Sequence, residues 1–281
     1  MNAAFFFSIT GGLLAGALHL TAQDRLIVPD GSAPAGDSLL LPVSLAGPSP
    51  VVAMQFDIRV VTSVVEVLAP LPAGESNHRA MSRELEDGWR RVVVFSRSNA
   101  LLPKEVVIDL PMVMSATTAG QPAPMIRIEG LFFALADGTK IIPSIQRGPL
   151  DTWFRANFSE AELEVPSIYG DSSDPDGDGL PNLVEYGLGG SPLLDDATLL
   201  PVVNAETGPA GEDLWRLTFW KARNTPGVVV EPQLSPNLVD WTTLPATPTG
   251  EEDATGIEFS TTVDRTGSSR QFIRVNVRRS E

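Results

Sequence analysis

From Leu26 to Ile142 the chain runs as short apolar, β-branched stretches cut by proline, glycine and serine, and no 3.6-residue apolar period persists. That pattern excludes a helical bundle and demands a mainly β fold. The predicted strands are residues 39–45, 52–60, 90–95, 106–114, 125–135 and 140–142. In Met54-Gln55-Phe56-Asp57-Ile58-Arg59-Val60 apolar and polar residues alternate, so one face should meet a core and the other water. Six such strands with short turns favour a sandwich or jelly roll over a barrel.

After residue 147 the character changes. Residues 152–158 and 159–164 predict two short helices, the second started by a capping box of Ser159 with Glu162 and ended by Pro166. From about Thr198 strands return at residues 214–220, 228–234, 257–263 and 271–277. The expected organisation is a sandwich over residues 24–147, a helical connector over 148–197 and a smaller β domain over 198–281.

Charge singles out the connector. Of the net charge of −15, residues 24–147 contribute −2 (13 acids, 11 bases), residues 148–196 contribute −10 (11 and 1) and residues 197–281 contribute −3 (11 and 8). A surface this acidic repels phosphate backbones, which argues against a nucleic-acid partner. Carboxylates concentrated in one segment ask for a cation instead.

Residues 174–185, DPDGDGLPNLVE, supply what a hard cation needs. A twelve-residue calcium loop uses positions 1, 3, 5, 7, 9 and 12, with glycine at 6. Counting from Asp174 puts Asp176 at 3, Asp178 at 5, Gly179 at 6, Leu180 at 7 through its carbonyl, Asn182 at 9 directly or through water, and Glu185 at 12 with both oxygens. Pro181 at position 8 and the absence of a long entering helix depart from the paired sensor loop. The segment resembles the single-helix calcium loops of dockerins and thrombospondin type 3 repeats, which implies a structural Ca2+ at extracellular concentration.

Two further resemblances follow. Gly36-Asp37-Ser38-Leu39-Leu40-Leu41-Pro42-Val43, the strand Met54-Gln55-Phe56-Asp57-Ile58 and the stretch from Leu131 to Ile142 with Asp137-Gly138 resemble cohesin-like domains. Those are jelly-roll sandwiches related to carbohydrate-binding modules, and the resemblance implies a dockerin-like protein module as partner. The stretch from Trp153 through Tyr186-Gly187 to Ser191-Pro192, with the strand from Glu231 to Trp241 and the closing Phe272-Ile273-Arg274-Val275, resembles a C-terminal segment of exported verrucomicrobial and planctomycete proteins. It implies export.

Residues 1–18 carry no charged side chain and lead to Ala22-Gln23-Asp24-Arg25, the pattern of a signal peptide cleaved after Ala22 or near Ala15-Gly16-Ala17, or kept as an anchor. The expected location is therefore secreted or cell-surface.

Catalytic candidates are few. There is no cysteine, and the histidines are His19 and His78, the second in a polar surface stretch. No phosphate loop, dinucleotide glycine motif or serine elbow occurs. Glu84, Glu86 and Asp87 form the acidic cluster outside the connector where glycoside hydrolysis could be sought, and a solvated loop explains them better. Alternation in Leu214-Trp215-Arg216-Leu217-Thr218-Phe219-Trp220 sets Trp220 on the polar face, a possible sugar platform if not covered. The function expected is a non-catalytic adhesion or scaffold protein, with a carbohydrate-binding module as the alternative.

Overall fold

The computed structural model describes residues 23–31, 37–60, 65–73, 77–114, 125–265 and 270–280. The proposed signal peptide over residues 1–22 lies outside them.

The first unit contains β1 (Arg25–Val28), β2 (Ser38–Ala46), β3 (Val51–Val60), β4 (Val65–Val67), β5 (Leu71–Pro72), β6 (His78–Glu84), β7 (Arg90–Ser96), β8 (Val106–Met114), β9 (Ile126–Leu135), β10 (Lys140–Ile141) and β11 (Ser144–Arg147). One sheet runs β11-β1-β2-β8-β4, with β5 also on β8, and the other runs β10-β9-β3-β7-β6. All pairs are antiparallel except β1 with β11, where Arg25 lies beside Ser144 and Val28 beside Arg147. This is the expected jelly-roll sandwich.

Its core forms where the two alternations meet. Met54, Phe56 and Ile58 of β3 are buried against Leu41, Val43, Val92, Val94, Ile108, Leu110 and Phe133, while Gln55, Asp57 and Arg59 point outward. Every strand predicted here is present within one residue at either end. The strands that sequence reasoning missed are short or sit at edges. His78-Arg79-Ala80-Met81-Ser82-Arg83-Glu84 reads as polar because β6 is an edge strand, paired only with β7 and mostly exposed. His78, expected on the surface, is half-buried at the start of that strand with Nε2 3.0 Å from the Leu101 carbonyl.

The connector holds α1 (Pro149–Asn157), a 3-10 turn at Glu162–Glu164, α2 (Pro166–Tyr169) and α3 (Asn182–Leu188). Ser159 and Glu162 form the predicted capping box: the Ser159 amide and hydroxyl donate to Glu162 Oε2 at 2.8 and 2.6 Å. Pro166 does not simply end a helix, however. Its fixed φ suits the first helical position, so the chain turns again into α2.

The last unit has β12 (Val202–Thr207), β13 (Asp213–Ala222), β14 (Val228–Ser235), β15 (Thr242–Thr243), β16 (Thr247–Glu252), β17 (Gly256–Asp264) and β18 (Phe272–Arg279). The sheets β12-β13-β17-β16 and β15-β14-β18 enclose Leu217, Phe219 and Val230, with Leu180 and Leu188 of the connector completing that core.

The connector is packed on both sides and is not a loose hinge. Asp30, in the sandwich, caps α1 by accepting from the Leu150 and Asp151 amides at 3.0 and 2.9 Å. Arg127 reaches Glu160 and Glu164, each at 2.9 Å. On the other side Gly187 lets α3 approach so closely that a Cβ there would stand 2.8 Å from Val277 and 3.0 Å from Val230. Among the described residues no helix is long and apolar enough to cross a membrane.

Candidate metal centre

The loop before α3 is shaped by its own carboxylates. Asp174 accepts from the Gly177 and Gly179 amides at 2.9 and 3.1 Å, Asp176 from the Asp178 amide at 3.3 Å, and Asp178 from the Leu180 amide at 2.7 Å. The turns require φ of +80° at Gly177 and +95° at Gly179, the left-handed region where a side chain is strained. Gly179 was anticipated at the sixth position; Gly177 does the same service two residues earlier.

These turns gather the carboxylates. Asp174, Asp176 and Asp178 each offer an oxygen, and the three lie within 4.8 Å of one another. Glu185, one turn into α3, is wholly buried, and neither of its oxygens has a hydrogen-bond partner. Asp176 Oδ2 is likewise buried and unpartnered. Burial, then the neighbouring Asp176, Asp178, Asp196 and Asp174, push the Glu185 carboxyl up to about 8. Burial in the first place also raises Asp176. Unpaired buried carboxylate oxygens are costly, so those of Glu185 and Asp176 call for a positive charge.

Asn182 has a more structural place than its loop position suggests. It is fully buried, and its Nδ2 donates to the Ile168 and Gly170 carbonyls at 2.9 Å each, fastening α2 to α3. Its Oδ1 is buried and without a partner. Leu180 turns its side chain into the C-terminal core. Asp196, which the twelve-residue register leaves out, belongs to the surroundings: its amide donates to Asp178 Oδ2 at 2.7 Å and its Oδ2 accepts from the Ser191 amide at 2.7 Å. The only sequence hint of it was its membership of the run of seven acids from Asp171 to Asp196.

The donor set is all oxygen, has three clustered aspartates and offers a glutamate with both oxygens available. Those properties fit Ca2+, which takes six to eight oxygens in flexible geometry and accepts bidentate carboxylates, better than thiolate- or imidazole-seeking metals.

The tryptophans are placed as follows. Trp220 lies half-buried against Gly256, where a Cβ would stand 2.1 Å from Nε1. Leu217 and Phe219 face the core as the alternation predicted. The Arg265 guanidinium sits 4.9 Å from the Trp215 ring and that of Arg274 3.8 Å from the Trp241 ring. Trp153 is edge-on to Phe154 and Tyr186.

No family model matches the chain, and no curated protein matches it. Similar solved structures are cohesins. One is a non-cellulosomal cohesin from the archaeon Archaeoglobus fulgidus, 17% identical, spanning 45% of this chain and 88% of that one with a TM-score of 0.37. Another is the cohesin module of a family 33 glycoside hydrolase from Clostridium perfringens, 12% identical, 45% and 99% covered, TM-score 0.38. A third is the sixth cohesin of Acetivibrio cellulolyticus scaffoldin B, solved in complex with a dockerin, 15% identical, 44% and 99% covered, TM-score 0.36.

Proposed function

We propose that this chain is an exported, non-catalytic interaction protein in which a calcium ion at Asp174, Asp176, Asp178 and Glu185 fixes the connector between two β-sandwiches. The observation that carries the reading is Glu185: a wholly buried carboxylate with both oxygens unpartnered, beside three aspartates. A bound cation would satisfy those oxygens and offset the repulsion among four acids. The Leu180 carbonyl and Asn182 Oδ1 are the remaining donors available to it.

The consequence is mechanical. Because Tyr169 of α2 and Leu183 and Tyr186 of α3 share one core with Leu150, Phe154 and Phe158 of the α1 segment and Met125 of the sandwich on one side, and with Val228 and Val277 on the other, ordering the loop would stiffen the whole chain. The partner bound by such a scaffold would be a protein module of the dockerin kind or a polysaccharide. Titration calorimetry on the mature chain tests the calcium reading: one ion per chain at millimolar affinity or tighter is expected, lost in Asp176→Ala with Glu185→Ala. Absence of heat at millimolar calcium would falsify it. Export is tested separately, by fractionating cells that express the chain with and without residues 1–22.

A further inference from the structure

A second site lies on the sandwich, far in sequence from the metal loop. The hairpin joining β6 to β7 is closed by the Leu85 amide donating to the Trp89 carbonyl at 2.8 Å, and it turns through Asp87 at φ 55° and Gly88 at φ 75°. It walls a solvent-open trough of about 650 Å³ whose floor is Asp57 of β3 and whose far side is Glu129 of β9. Trp89, half-buried, borders this trough and also a second one of about 400 Å³ that reaches Val60 and Glu66.

The floor is open for a local reason. The register between β3 and β9 shifts between Gln55 and Asp57, and Gly130 takes φ +58° at that irregularity. A Cβ on Gly130 would stand 3.3 Å from Asp57 Oδ2. Glycine in a strand at a bulge leaves the backbone accessible from outside, while the Asp57 side chain itself is only 14% exposed. Asp57 itself is held rigid, accepting from Arg91 Nε and Nη2 at 2.7 Å each.

Charge selects the ligand class. Asp57, Glu84, Glu86, Asp87 and Glu129 bring five negative charges. Arg83 in the wall, Arg90 on Glu84 and Arg91 on Asp57 bring three positive ones, a balance of −2, while Arg59, 5.5 Å from the Trp89 ring, is paired with Glu164 outside the trough. An acidic trough rich in both donors and acceptors, with an indole on its wall, does not suit an anionic ligand. It suits one with many hydroxyls and an apolar face. A pocket of this volume lies within the range of small-ligand sites.

We infer that the Trp89 trough binds a neutral glycan, with Trp89 as the stacking wall and Arg83 and Glu129 as hydroxyl partners. This deepens the interaction role proposed above by naming a site and a ligand class, and it is separable from calcium: failure here with calcium binding intact leaves the metal reading standing.

The full mature chain is applied to a printed array of neutral and acidic oligosaccharides, beside lysine-rich peptides, and is run on native gels containing soluble neutral polysaccharides. Retention by at least one neutral glycan is expected. Trp89→Ala should weaken it about tenfold or more, in line with an aromatic anchor, while Trp220→Ala leaves it unchanged. Arg83→Ala and Glu129→Gln alter exposed side chains and keep the test valid if Trp89→Ala does not fold. No retention on neutral glycans, retention confined to lysine-rich peptides, or undiminished retention by a folded Trp89→Ala or by both exposed variants would overturn the assignment.

Discussion

Arg279, the last residue of β18, holds Asp171 through two parallel hydrogen bonds of 2.8 Å, from Nε and Nη2 to the two carboxylate oxygens. The C-terminal strand is thereby clamped three residues ahead of the metal loop. Both side chains are largely buried, at 14% and 20% exposure, so this pair differs from an ordinary surface ion pair. Replacing Arg279 with alanine strands Asp171 and should cost about 1–3 kcal/mol. Denaturant unfolding reads the loss, and Asp171→Ala with Arg279→Ala should cost less than the two single changes summed.

The metal reading makes opposite predictions for one substitution. Glu185→Gln keeps the shape of the side chain and removes its charge. In chelator it should raise the melting temperature, because folding then no longer has to place a proton on Glu185 or bury its charge. In calcium it should lower affinity at least about a hundredfold, since a ligating oxygen pair is lost. A melting experiment with and without calcium checks both; a variant that melts like the parent in both conditions would sink the assignment.

Stability should also depend on pH in a direction set by Glu185. Its carboxyl stands near 8 in the folded calcium-free chain against an ordinary value of 4.5. The folded state thus holds its proton more tightly than the unfolded state does. This group imposes no penalty below about 4.5, and between there and about 8 stability falls by up to about 1.4 kcal/mol per pH unit. Urea unfolding in chelator at several pH values should show the decline, and Glu185→Gln should flatten it. Saturating calcium should reverse the trend, because the ion binds the deprotonated carboxylate.

Packing gives a further contrast. Gly187→Ala would place a Cβ 2.8 Å from Val277 Cγ1 and 3.0 Å from Val230 Cγ2. The helix must lift from β14 and β18, at an expected cost of about 1–3 kcal/mol. Since Glu185 lies two residues away on the same helix, calcium affinity should fall as well. Calorimetry on the variant measures both.

Within the first sandwich, Phe56→Ala removes a side chain with no exposure and should cost about 3–5 kcal/mol. Met81→Ala, on the exposed face of β6, should stay within about 0.5 kcal/mol. Paired denaturation curves would show whether the core is where the alternation puts it.

Much of this was legible in the residues. Where a strand is covered on one face, as in Met54 to Val60, period-two alternation records that burial, and the prediction holds to within a residue. Edge strands such as β6 and β12 leave no such record, because side chains exposed on most positions need not be apolar. The clustering of Asp174, Asp176 and Asp178 was legible since backbone turns and residue spacing are local. Asp196 was not, because its amide reaches Asp178 across 18 residues. Asp30 capping α1 from 120 residues upstream is of the same kind: the contact exists only once the sheets are assembled. The Trp89 trough needed the fold too, as Asp57, Arg83 and Glu129 converge only through strand pairing.

The amides of Gly177, Asp178, Gly179 and Leu180 are already bonded to loop aspartates before any ion arrives. An ion entering such a loop has no backbone search to wait for. Its capture rate would be governed by shedding of its own water and by attraction to the acids, and so should slow with added salt. Its release would be governed by how firmly Glu185 is kept from swinging out of α3.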